Sequence, residues 1–343
     1  MSTETKHRID SRTMTAWQQT HYGGPDTLRA TEVAVPEAGK GEVLLKIHAT
    51  ALNAGDIRIL RGDPGLVRLA FGLTRPRTAT RGMDVAGTIV AVGPGVDTVA
   101  VGDEVICELP GGGGLAPYAT APASRLVARP ETLDPVAAAT LPIAGGTAVQ
   151  ALDGAGVSRG SRVLVIGASG GVGTFAVQLA ALRGAEVHAV CGARNRTLVK
   201  GLGAQRTFDY TTTDAASLPA ASYDAIIDIA GAWTLRDLKR LVRPGGATVL
   251  VSGQGGRVLG PMGRILGAMV RSIGSKRPFR MLAATWQQHV VAQLAKLAAD
   301  GRITPVIERT FTFEEGREAV AHVDAGHTVG KVVVAVTRRS EAR

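Results

Sequence analysis

The pattern of apolar and polar positions changes character part-way along the chain. From Thr15 to about Pro142, short β-rich runs such as Glu42 to Ala49, Gly87 to Val92 and Glu104 to Glu108 alternate with glycine and proline punctuation, which predicts a compact β domain. From about Gly160 the texture becomes strand, helix, strand, helix: Arg162 to Ile166, Val172 to Leu182, Ala185 to Val190, Thr197 to Leu202, Tyr223 to Ile229 and Ala247 to Val251. Such alternation predicts right-handed crossovers and a parallel sheet covered on both faces. A helix over roughly Trp286 to Asp300 follows, then a β run from Ile303 to Phe311, a helix near Phe313 to Ala325 and a last strand at Lys331 to Thr337. The closing β run resembles the first third, so the chain is expected to return there and leave that domain discontinuous. The expected division is 14–141 with 284–343 for the β-rich domain and 142–283 for the α/β domain, after a disordered tail over 1–13. Between Gly255 and Pro278, Met262, Leu266, Met269 and Ile273 recur at helical spacing; core packing is the default reading, with a substrate pocket or a dimer seam as alternatives.

The strongest chemical signal is the run from Arg162 to Ala180. A buried strand enters Gly167-Ala168-Ser169-Gly170-Gly171-Val172-Gly173, and Val172, Phe175, Ala176, Leu179 and Ala180 then share one helical face. Glycine at 170 lets backbone amides approach a pyrophosphate, the helix N-terminus adds partial positive charge, and Gly173 permits close helix–strand packing. The strict glycine pattern fails at its first position, which is Ala168. Strand, turn, helix and second strand nonetheless occur in the order a dinucleotide site requires.

An NAD-selective site places Asp or Glu at the end of that second strand. Here the chain reads Cys191-Gly192-Ala193-Arg194-Asn195-Arg196, with Lys200 one turn further on. Guanidinium groups suit a ribose 2′-phosphate in charge and donor geometry, so NADPH is the expected cofactor. The plainer alternative is that Arg194 and Arg196 only solvate a helix start.

Composition narrows the class. Across 343 residues, 45% are apolar and 44 are glycine, enough for more than one packed core with many tight turns. The two cysteines, Cys107 and Cys191, build neither a disulfide scaffold nor a four-cysteine zinc site, and a reducing cytoplasm is the expected location. Apolar stretches are too short to span a bilayer. The net charge of +10 is scattered, with no block of basic residues and no interleaved aromatics, which argues against a nucleic-acid partner.

On these residues the chain resembles the zinc-independent quinone oxidoreductases of the medium-chain dehydrogenase/reductases, the branch that includes zeta-crystallin. The resemblance covers about residues 15–337. Besides the glycine turn it rests on Tyr22-Gly-Gly-Pro-Asp-Thr-Leu28, Ala51-Leu-Asn53-Ala-Gly-Asp56, Gly82-Met-Asp-Val-Ala-Gly87, Val101-Gly-Asp-Glu-Val105, Leu141-Pro-Ile-Ala-Gly-Gly-Thr-Ala148 and Gly330-Lys-Val-Val333. It implies a GroES-like β domain closing over a Rossmann domain, with the active site in the cleft between them, and commonly a homodimer. The zinc ligands of the superfamily's alcohol dehydrogenases match Asn53, Met83 and a position near Ile143; an amide, a thioether and an alkyl group do not hold zinc, so no metal site is expected.

The resemblance also implies roles at single positions. Asn53 and Asp56 match a loop beside the nicotinamide, Asn53 donating to a developing enolate or quinol oxygen and Asp56 orienting the loop. Thr147 is implied near the phosphates, Tyr210 by the adenosine phosphate, Ala230 and Gly231 by the ribose, Ser252 and Gly253 near the nicotinamide, and Lys331 at the cleft. The plainer readings are a helix cap for Thr147, a strand-end aromatic for Tyr210 and a solvated strand start for Lys331. The expected activity is hydride transfer from NADPH to a quinone or an α,β-unsaturated carbonyl. An enoyl-thioester reductase and a cofactor-binding interaction or RNA-binding protein are the alternatives.

Overall fold

In the computed structural model, which describes residues 13–251 and 262–336, two large sheets carry the fold. One is a six-stranded, fully parallel sheet in the order Arg206–Asp209, Glu186–Cys191, Arg162–Ile166, Tyr223–Asp228, Val242–Leu250 and Phe279–Met281. The first strand in sequence, Arg162–Ile166, lies in the middle, and later strands add first to one side and then to the other. That order makes a switch point between Arg162–Ile166 and Tyr223–Asp228, where a crevice opens at the carboxyl edge. The run Val163 to Ile166 is buried throughout because helices cover both faces of the sheet.

The second sheet has seven strands. Ile307–Thr312, Lys331–Ala335, Glu42–Leu52, Asp84–Val92, Glu104–Glu108 and Leu126–Ala128 follow in order, and Tyr118–Pro122 also pairs with Glu42–Leu52. Val332 to Ala335 align antiparallel with Leu52 to Ala49, so the end of the chain does return to the β-rich unit. A separate hairpin pairs Thr13–Gln18 with Arg29–Ala34. Thr13 therefore starts a strand, which shortens the expected tail by one residue; residues 1–12 lie outside the described range.

One apolar cluster spans both sheets, joining Ala51, Ala86 and Ile106 of the β-rich sheet to Val163 of the parallel one, to Phe175 and Ala176 of the helix that covers it and to Val333 of the returning strand. A π-helical turn, Leu141–Gly145, and the helix Gly146–Ala155 lie at that junction. The helix Met262–Ser272 departs from expectation. Leu266 is 62% and Ile273 81% exposed, whereas Ala268 is the helix's buried residue. The small Gly267 and Ala268 let this helix sit close to Leu235, and Arg264 reaches inward to Asp228, so the apolar stripe is turned outward. The core-packing reading is corrected accordingly.

Candidate active site

The glycine turn divides its labour between two positions. Gly167 adopts a left-handed φ of +86° that turns the chain out of the strand, and Gly170, in extended conformation, caps the helix Gly171–Leu182. A Cβ on Gly173 would lie 2.2 Å from the Gly167 carbonyl oxygen and 2.7 Å from the Ala168 backbone, so this glycine is required by packing. A Cβ on Gly170 would meet only the Gly167 oxygen, at 3.6 Å, which leaves an open face beside the helix start. The first-turn amides of Val172 and Gly173 have no acceptor within their own helix, whereas Gly171 faces the Gly330 carbonyl across the bridge between Gly170 and Gly330. Free amides beside an uncrowded glycine fit a dinucleotide pyrophosphate. Ala168 is fully buried in the common core, which explains why alanine is tolerated at the first glycine position. Ser169 turns its carbonyl to the Gly330 amide at 2.8 Å, joining the turn to the returning strand.

At the end of the second strand, Cys191 is buried opposite Asp209, and the Tyr210 ring lies against Gly192, 3.3 Å from where a Cβ would stand. Tyr210 is 55% exposed beside this strand end. Ala193–Asn195 forms a single 3₁₀ turn. Arg194 is exposed, its Nη2 donating to the His327 carbonyl at 3.2 Å. Arg196 instead turns back to Thr207, giving Nε to its Oγ1 at 3.2 Å. Across the switch point, Ala230 covers Gly167, and the Gly231 amide donates to Asp228 Oδ1 at 2.9 Å. Ser252 and Gly253 lie outside the described residues.

Between the sheets the structure brings together side chains far apart in sequence. Asp56, fully buried, accepts from the Asn53 amide at 2.9 Å and from the Gly82 amide at 2.9 Å, so it straps two loops together and faces no cleft. Asn53 gives its Nδ2 hydrogens to Asp84 Oδ2 at 2.9 Å and, weakly, to the Ala51 carbonyl at 3.4 Å. Its Oδ1 receives Lys331 Nζ at 2.5 Å. Lys331 also donates to the Leu52 carbonyl at 3.0 Å and lies 3.9 Å from Asp84. With 3% exposure Lys331 is no solvated strand start, and its stem packs on Gly171 of the phosphate turn. Thr147 is buried within the first turn of the helix Gly146–Ala155 and makes no capping bond.

Burial dominates the electrostatics here. It pushes the Asp84 carboxyl up to about 8 against the pull of Lys331, and it depresses the Lys331 ammonium against the pull of Asp84. Asp56 is also raised by burial, with its two backbone amides opposing.

Three comparisons with known proteins bear on this arrangement. The profile of the alcohol dehydrogenase GroES-like domain matches residues 39–131, and that of a zinc-binding dehydrogenase matches 202–334. A chloroplast envelope quinone oxidoreductase homolog of Arabidopsis thaliana is 34% identical over 333 residues, 94% of this chain and 98% of that protein. The chain belongs to the medium-chain dehydrogenase/reductase family, in its quinone oxidoreductase branch. An NADPH-dependent alkenal/one oxidoreductase of Arabidopsis thaliana is 31% identical, covering 94% of this chain and 79% of that one. The solved quinone oxidoreductase of Coxiella burnetii superposes with a TM-score of 0.84 at 28% identity over 95% of this chain and all of that one.

At the positions that the resemblance aligns with zinc ligands, the chain carries an amide, a thioether and an alkyl side chain. Asn53 and Ile143 meet at Asp84, Ile143 through its amide at 3.2 Å, and the Met83 methyl lies near Gly55. Among the described residues no group of three or more His, Cys, Asp or Glu side chains is placed to hold a metal. No described helix is long and apolar enough to cross a membrane.

Sequence reasoning missed Asp84 as a site residue. It stands in the quoted Gly82 to Gly87 motif, and a carboxylate heading the apolar run to Val92 was the available signal. Its importance depends on complete burial beside Lys331, which no local pattern reports.

Proposed function

We propose that this oxidoreductase uses NADPH to reduce quinones or α,β-unsaturated carbonyls without zinc. The open, amide-lined face at Gly170 carries the reading, together with the names of relatives similar over nearly the whole chain. Within it, the amides of Val172 and Gly173 hold the pyrophosphate, with Ala168, Ser169, Gly170 and Gly171 shaping the turn. Gly192, Asn195 and Tyr210 flank the adenosine, beside Cys191, and Arg194 meets the 2′-phosphate. Exposed Arg194, with no carboxylate from Cys191 to Arg196, supports NADPH over NADH. Ala230 and Gly231 border the ribose and Thr147 the cleft wall. Bound there, the dihydronicotinamide supplies the hydride.

The protein's own part is mainly positioning. Lys331 and Asp84 grip opposite ends of the Asn53 amide and fix its orientation beside the phosphate turn. Asp56 holds the loop that carries Asn53. We assign 14–141 with 284–343 to the GroES-like domain and 142–283 to the Rossmann domain. The outward apolar stripe of Met262–Ser272 supports a homodimer, and the free thiols of Cys107 and Cys191 suit a reducing compartment such as the cytoplasm.

The test is oxidation of NADPH and, separately, NADH by chelator-treated protein with a panel of quinones and enones. Chelator-resistant turnover that prefers NADPH is expected. Binding of NADPH with no turnover of any acceptor refutes the reading.

A further inference from the structure

Between two fully buried carboxylates, Asp56 and Asp84, the chain carries six arginines and a single acid, Asp63. Arg81 is buried, but Arg61, Arg68, Arg75 and Arg77 are exposed. Leu66, Leu69 and Leu73 stand among them at i, i+3 and i+7, on and beside the short helix Val67–Phe71. Leu69 is 64% and Leu73 68% exposed, so this loop turns large apolar side chains to water.

The exposure does not come from a loose loop, because its inner side is pinned. Phe71 packs toward Gly111, Tyr22 Oη donates to the Gly72 carbonyl, and the Arg77 amide donates to the Phe71 carbonyl at 2.7 Å. Arg68 lies 4.7 Å over the Tyr22 ring and gives Nε to the Gly62 carbonyl at 3.1 Å. Apolar side chains clustered on a fixed surface mark a contact site. The cations around them are unmatched. Arg61 pairs with Asp324, but Arg68, Arg75 and Arg77 meet no carboxylate among the described residues, and Arg77 reaches only the Ala70 carbonyl. A hollow of about 450 Å³ adjoins the loop, walled by Arg61, Arg68 and Asp63 with glycine backbone between them.

We propose that this loop seats the protein on an anionic membrane surface, with Leu66, Leu69 and Leu73 entering the boundary between headgroups and acyl chains and Arg68, Arg75 and Arg77 meeting lipid phosphates. Five helical residues make less than two turns, too short to lay a row of anchors along a groove of another protein. Shallow insertion of a few apolar side chains under a ring of cations instead suits a negatively charged bilayer, whose surface attracts each arginine. Such docking needs no membrane-spanning helix. It does not depend on which acceptor is reduced.

The experiment measures co-sedimentation of the full chain with vesicles of phosphatidylcholine alone and of phosphatidylcholine mixed with phosphatidylglycerol, at low and high salt. Wild type should bind the mixed vesicles at least about tenfold more tightly than the neutral ones, and the difference should shrink as salt is added. Leu69→Ser combined with Leu73→Ser should weaken binding to mixed vesicles about tenfold. Arg75→Gln combined with Arg77→Gln should weaken it by a similar factor that disappears at high salt. These side chains are exposed, so melting temperatures should stay within about 2 °C of wild type. In Leu69→Trp the added indole emission should move to shorter wavelength with mixed vesicles and stay unmoved with neutral ones. Wild type left in the supernatant, or equal binding to both kinds of vesicle, overturns the proposal. So does wild-type binding by the Leu69, Leu73 variant with loss instead in Leu266→Ser, which moves the contact to the helix Met262–Ser272. A wild-type dimer that dissociates in the Leu69, Leu73 variant assigns the loop to a second copy of the chain and likewise overturns it.

Discussion

The glycine turn offers a sharp separation of folding from binding. In Gly173→Ala the new methyl would lie 2.2 Å from the Gly167 oxygen and 2.7 Å from Ala168 backbone atoms. Ordinary carbon–oxygen contact is near 3.4 Å, so relief requires about 1 Å of movement between the helix Gly171–Leu182 and its strand. Every residue from Gly173 to Ala180 in that helix is buried, so the movement opens gaps along a fully packed surface. Overpacking of this kind costs about 3 kcal/mol, the upper part of the usual range, because both clashing groups are backbone. For a domain of this size that corresponds to a melting temperature lower by about 6–12 °C. Gly170→Ala meets nothing closer than 3.6 Å and keeps a φ of −81° that alanine accepts, so its melting temperature should stay within about 2 °C. Its methyl instead occupies the approach to the free amides, so NADPH affinity should fall at least about tenfold, roughly 1.4 kcal/mol. Thermal melts without ligand and fluorescence titration with NADPH read the two effects separately. If both variants melt alike, or if Gly170→Ala binds NADPH as wild type does, the assignment of packing to Gly173 and phosphate approach to Gly170 is wrong.

Three further outcomes are expected. Lys331→Met leaves Asn53 Oδ1 and the Leu52 carbonyl without their donor and should destabilise by about 1–3 kcal/mol; in urea titrations Asp84→Asn should recover part of that loss in the double variant, and strictly additive losses would show the groups to be uncoupled. Asp84 is harder to ionise folded than unfolded, so the stability it contributes is full below pH ~4 and is lost as pH rises through about 8. Asp84→Asn should therefore lose less stability than wild type between pH 6 and 9, and parallel curves would contradict the burial argument. Arg194→Ser should raise the NADPH Kd about tenfold or more and leave the NADH Kd unchanged, measured by titration of each cofactor; an equal effect on both would make Arg194 a solvating side chain only.

Periodicity and glycine placement located most strands and helices to within a few residues. The strand predicted over Glu42 to Ala49 runs on to Leu52, because pairing with Val332 and Val333 extends it at a range no local pattern reports. The stripe from Met262 to Ile273 was legible as a helix but not in its direction. Period fixes which residues share a face, whereas Gly267, Ala268 and Arg264 fixed which face was turned inward.

The same division holds at the site. The turn from Gly167 to Gly173 and the basic end of the second strand belong to short, contiguous stretches, so their chemistry follows from residue type and spacing alone. Asn53, Asp84 and Lys331 meet across a separation of up to 278 positions, in surroundings that withdraw all three from water. Removal from water shifts the titration of Asp84 and Lys331, and their hydrogen bonds decide which way the Asn53 amide points. Such desolvation and orientation arise only when distant segments pack together, so the tertiary structure alone decided them.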